Sequence, residues 1–183
     1  MRNFFLTIAF CVLGILGLNA QTELKINPLG LLFGSPDVSA EFGLTNSASL
    51  EPFLGFTSRK TNLGSSDWKY NAVNAGLSFK YFFNPHRGID RFYAGIYTRF
   101  NTGTWTFDTD KLTSQRLSLG LLIGQKWVSK RNIVFELALG AGRAFLNNIE
   151  DGTNGEDYGS LLFDLDVMGR LAVGYRFGGG KDK

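Results

Sequence analysis

The stretch Phe163–Phe177, FDLDVMGRLAVGYRF, decides the fold of this 183-residue chain. It sets Asp164, Asp166, Arg170 and Arg176 among residues that otherwise belong in a core. All four charges hold even positions. Phe163, Leu165, Val167, Leu171, Val173, Tyr175 and Phe177 hold odd ones. Successive side chains of a strand point to opposite faces, so a period of 2 puts charge on one face and apolar bulk on the other. A helix, with period 3.6, would mix the two.

The same period recurs upstream. Leu117, Leu119, Leu121, Ile123 and Trp127 alternate with Ser118, Gly120, Gly124 and Lys126. Val73–Phe83 and Ile133–Gly142 repeat the pattern. Val38–Leu44, Leu50–Thr57 and Phe92–Phe100 follow it less strictly, and Leu24–Leu32 is expected as a first strand weakened by Pro28. With the stretch quoted above, these make eight strands. Thr45–Ala48, Asn84–Arg91 and Ser129–Asn132 read as short turns, and Lys60–Lys69, Asp108–Gln115 and Asn147–Asp157 as longer polar loops. Phe33–Asp37 is a short connection in the long-loop series.

The faces tell which side meets what. The charged face also carries Gly76, Gly95, Gly120, Gly124, Gly140, Gly142 and Gly174. Small residues suit the crowded interior of a narrow eight-stranded barrel, where a soluble lipocalin-like barrel would turn its apolar face inward. The bulky Leu, Ile and Phe therefore point outward, into hydrocarbon. A closed barrel satisfies its backbone there, because every hydrogen bond is made between strands. The fold class predicted is all-β, an eight-stranded antiparallel up-and-down transmembrane β-barrel. Short turns at one rim and longer loops at the other fit such a barrel. Two aromatic girdles are expected, Phe83, Phe92, Trp127, Phe135, Tyr175 and Phe177 at one rim and Phe56, Tyr70, Phe100, Trp105 and Phe145 at the other.

The interior then receives Lys80, Arg99, Arg116, Lys126, Arg170 and Arg176, against Glu41, Glu51, Glu136, Asp164 and Asp166. Near-equal numbers of the two signs read as a structural network of ion pairs filling a narrow core. A charge-lined pore is the competing reading.

The first 20 residues stand apart. Arg2 precedes an apolar run, Phe4–Leu18, and Leu18-Asn19-Ala20 offers small residues for cleavage before Gln21. That is the layout of a secretory signal peptide. Residues 1–20 are thus expected to be removed, leaving a barrel over 21–177 and a short polar tail over 178–183. Cys11, the one cysteine, would leave with them, so no disulfide or thiolate metal site is expected. Arg2 is the one charge lost, leaving 18 basic against 16 acidic residues. Such balance does not suit nucleic acid. The 23 glycines, 17 phenylalanines and only four prolines fit a chain made of many strands.

Catalytic parts are scarce. His86 is the sole histidine and lies in a turn sequence, Asn84-Pro85-His86-Arg87-Gly88. Without a second histidine or a retained cysteine, Ser-His or Cys-His catalysis lacks its components. Asp164 and Asp166 share a face and resemble a carboxylate pair, but interior ion pairing is the stronger reading of them. Gly140-Ala141-Gly142 is not followed by a dinucleotide fingerprint. Glu150–Asp157, EDGTNGED, is rich in oxygen ligands without EF-hand spacing. The expectation is no enzyme and no cofactor. The role expected is structural or surface-interacting, with a small channel, a lipid-binding barrel or a lipid-modifying membrane enzyme as alternatives.

Arg170–Phe177, RLAVGYRF, resembles the C-terminal recognition signal of outer-membrane barrels, which ends in an aromatic-x-aromatic, here Tyr175 and Phe177. Leu24–Gly34 and Asp37–Phe56, LKINPLGLLFG and DVSAEFGLTNSASLEPFLGF, resemble a domain-of-unknown-function family of small outer-membrane barrels common in Bacteroidota. The resemblance implies residence in the outer membrane of a Gram-negative bacterium, contact with its lipid, and insertion by the outer-membrane assembly machinery. It brings no activity, no catalytic residue and no surface ligand.

Overall fold

A computed structural model describes residues 21–63, 66–107, 110–151 and 164–178. The signal-peptide segment and most of the tail lie outside the described residues. Eight strands close into a barrel: β1 (Thr22–Ile26), β2 (Asp37–Gly43), β3 (Ala48–Leu63), β4 (Ser66–Phe82), β5 (Arg91–Phe107), β6 (Asp110–Val128), β7 (Ile133–Asp151) and β8 (Leu165–Phe177). Each pairs antiparallel with its neighbours in sequence. β8 returns to β1 through Thr22↔Phe177 to Ile26↔Val173.

The faces follow the alternation. Leu119, Leu121, Ile123 and Trp127 on β6 are exposed, Leu121 at 70%. Ser118, Leu122 and Lys126 between them are buried. Apolar residues line the outside on every strand, while the interior holds Glu, Lys, Arg, Ser and Tyr. Apolar surface is unfavourable in water by about 25 cal/mol per Å², so this exterior is built for hydrocarbon. At the rim shared by Thr22 and Phe177, the outward rings touch one another. Tyr81–Phe83 and Tyr175–Phe177 have centroids 5.4 and 5.0 Å apart.

Four sequence expectations change. The first strand does not run over Leu24–Leu32: β1 ends at Ile26, and a one-turn helix, α1 (Pro28–Leu32), follows. Pro28 has no N–H to give a ladder and suits a first helical turn. Asn27 caps that turn, its Oδ1 accepting from Gly30 N at 3.0 Å. Lys60–Leu63, Ser66–Lys69 and Asp110–Gln115, expected in loops, are strand. β3 and β4 stay paired to Leu63↔Ser66, and β5 and β6 to Phe107↔Asp110. β7 likewise continues through Asn147 to Asp151, and 152–163 lie outside the described residues. Finally, Tyr70 and Trp105 do not belong to a girdle. They share the inward parity of their strands and stack on each other with centroids 4.2 Å apart.

The three short turns hold, with Asn84, Arg91 and Asn132 at positive φ. One irregularity interrupts the ladder: Leu117 pairs with Leu146 but Ser118 with Ala144, leaving Phe145 as a bulge. Phe145 and Leu146 are consequently both exposed.

Candidate functional site

Among the described residues, chemistry-bearing side chains converge in the barrel interior. At its terminal end, Arg176 donates to Glu23 Oε1 through Nε at 2.8 Å and Nη2 at 2.6 Å. Its Nη2 also reaches the Ile89 carbonyl at 3.1 Å, tying the β4–β5 turn across the opening. Lys126 Nζ lies 3.0 Å from Glu23 and 2.7 Å from Glu41. It also sits 4.6 Å over the Phe82 ring, a cation–π arrangement.

The next layer up is fully dry. Lys25 pairs with Glu41, with Glu51 at 2.8 Å and with Glu136 at 2.5 Å. Lys80 pairs with Glu51 and, at 2.5 Å, with Glu136. All five side chains are 0% exposed. Hydroxyls add further hydrogen bonds. Tyr93 donates to Glu136 at 2.5 Å and Ser39 to Glu51 at 2.6 Å. Carboxylate oxygens of Glu41, Glu51 and Glu136 lie within 4.8 Å of one another, a spacing that suits a metal ion. The cations against them include the Lys25, Lys80 and Lys126 ammonium groups, which suits a lattice of ion pairs.

Above it, Arg170 donates to Glu51 at 2.8 Å and to Ser39 at 2.5 Å. Asp166 pairs with Arg99 and accepts from Tyr97 Oη at 3.1 Å. Among the residues expected inside, Glu51, Lys80, Lys126, Glu136, Asp166, Arg170 and Arg176 are buried in the network, with Arg99 partly so. Arg116 instead reaches the Leu165 carbonyl at 2.6 Å. Asp164 stands ahead of β8 and meets the exposed Arg143 at 3.5 Å, so it belongs to the rim and not to the interior. His86 is exposed in its turn, its backbone N donating to Asp90 Oδ1 at 2.6 Å.

Glu23 and Lys25 were missing from the sequence reading, yet both are buried inside the barrel. Their signal was present: Glu23 and Lys25 alternate with Leu24 and Ile26. Pro28 hid it by weakening the strand as a whole. Tyr175 and Phe177 face outward at the terminal rim, as an aromatic girdle requires.

An eight-stranded closed barrel, apolar outside and cross-linked by charge inside, has the physical make-up of a small membrane barrel. The chain belongs to the family described as Protein of unknown function (DUF3575), which matches residues 4–157. Among solved structures, that of Neisserial surface protein A (NspA) is similar over 87% of this chain and 95% of that one, at 15% identity and a TM-score of 0.48. No curated protein matches.

Proposed function

We propose that the protein is a sealed barrel of the bacterial outer membrane with a structural or surface-interaction role, without catalysis and without an open pore. The observation that carries this is the dry layer of Lys25, Lys80, Glu41, Glu51 and Glu136, which spans the lumen with side chains 0% exposed. A pore needs a hydrated path, and a narrow eight-stranded interior is filled by side chains. The outward apolar face supports residence in lipid, and Tyr175 and Phe177 support delivery by the outer-membrane assembly machinery. Carboxylates locked in ion pairs, and a single histidine in an exposed turn, support a non-catalytic role.

Planar-bilayer recording tests the reading. The reconstituted protein is expected to give no steady conductance. Stable open levels in the wild type would contradict it.

A further inference from the structure

The wall of the barrel is uneven. On its β1 side, β8 has a strand neighbour over Val173–Phe177 alone, among the described residues. It nevertheless continues up to Leu165, paired on its other side with β7. In the space where β1 and β2 would otherwise continue lies α1, packed against β8. Pro36 and Gly34 accept from Phe56 and Ser58 of β3 at 3.0 and 2.8 Å, so this segment sits level with outward Phe56. β3 climbs beyond it to Leu63. Leu31, Leu32 and Phe33 are exposed at that level. The connection is therefore apolar because it lies within the hydrocarbon belt.

A cavity of about 380 Å³ opens here. Inward residues line it, Arg99, Asn101 and Arg170 among them, and so do outward Val167 and Leu29 of α1. The cavity thus reaches from the interior toward α1 and the upper part of β8. Arg59, Arg99, Arg170 and Asp37 line it; Arg99 pairs with Asp166 and Arg170 with Glu51, while Arg59 is exposed. Arg170 is 6% exposed. Its Nε approaches Asp37 Oδ1 to 3.4 Å without a hydrogen bond, and neither atom has a hydrogen-bond partner.

We infer that this cavity binds a single-chain amphiphile with an anionic head, which enters sideways from the lipid between α1 and the upper part of β8. The volume is at the small end of ligand pockets. It suits the head and the first part of a chain, with the remainder lying along the outer face. The Arg59 guanidinium recognises the anion, with the paired Arg99 and Arg170 beside it, since a planar fork matches carboxylate or phosphate oxygens. The inference rests on the bilayer placement proposed above. It is tested on protein already inserted in bilayers, so a barrel that does not insert fails before binding is measured.

The experiment is equilibrium binding of radiolabelled palmitate to the barrel in phosphatidylcholine nanodiscs, with empty nanodiscs as baseline and methyl palmitate as the neutral probe. Saturable binding of about one palmitate per barrel is expected, with methyl palmitate at least 10-fold weaker. Val167→Trp, placed at the mouth on an exposed position, should abolish binding. Arg59→Gln, on an exposed side chain, should weaken it several-fold while circular dichroism stays that of the wild type. Signal no higher than in empty nanodiscs would overturn the inference. So would equal affinity for the two probes, or binding unchanged in both variants.

Discussion

Glu136 holds Lys25, Lys80 and the Tyr93 hydroxyl at 2.5 Å each, with no exposure to solvent. Removing its charge takes one of the three carboxylates from Lys25 and Lys80 and leaves buried positive charge undercompensated, and breaking a buried pair in this way costs about 3–5 kcal/mol. Glu136→Gln should lose that much in reversible unfolding from lipid vesicles. Asp166 serves Arg99, whose side chain is 23% exposed and keeps access to water. Asp166→Asn should therefore lose less, about 1.5–3 kcal/mol, the range for hydrogen bonds to charged groups. Asp164 meets an Arg143 that is 66% exposed, and Asp164→Asn should cost roughly 0–1 kcal/mol. A different order of the three would mean that the layers are wrongly assigned. The inward charges on β3–β8 were legible from parity alone, because alternation fixes the face. Who pairs with whom was not, since Lys25 on β1 and Glu136 on β7 meet only after the barrel closes. Asp164 has the right parity but stands outside β8, where parity no longer applies.

The strands owe their close packing to inward glycines roofed by rings. A Cβ on Gly120 would lie 2.5 Å from Tyr97 Cε1 and 2.7 Å from the Ala141 carbonyl, and Tyr93 lies over Gly124 in the same way. Gly120→Ala should cost about 1–3 kcal/mol by overpacking. Gly169→Ala is the control, since its nearest neighbour, Leu139 Cδ2, is 3.9 Å away. Comparable losses in the two variants, measured by the same unfolding assay, would show that the rings do not bear on Gly120. The strand centres were readable because hydrocarbon on one side and a polar core on the other impose alternation. Beyond the belt, β3–β7 meet water on the outside as well, so Lys60, Thr113 and Asn148 carry no period and resemble loop. There, hydrogen bonding along the ladder decides the structure, and composition is silent about it. α1 escaped notice for the opposite reason: Leu29, Leu31 and Leu32 are as apolar as any strand, and only Pro28 and the Asn27 cap turn the chain.

At the scale of the whole molecule, two features belong together. The belt of Leu, Ile and Phe suits lipid outside, and the layered ion pairs fill the interior. Each requires the other, because a wall one residue thick must put its two alternating faces in opposite environments. Depth in the bilayer is what this account commits to most directly. Leu121 is outward, 70% exposed and midway along β6, whereas Gln125 lies one outward step from Trp127 at the terminal rim. A charge on the lipid face costs about 2–4 kcal/mol at the midplane and roughly 0–1 kcal/mol near an interface. The measurement is the reversible unfolding free energy, in phosphatidylcholine vesicles, of Leu121→Arg and Gln125→Arg against the wild type. The account predicts a loss of about 2–4 kcal/mol for Leu121→Arg and roughly 0–1 kcal/mol for Gln125→Arg; equal losses at the two positions would contradict it.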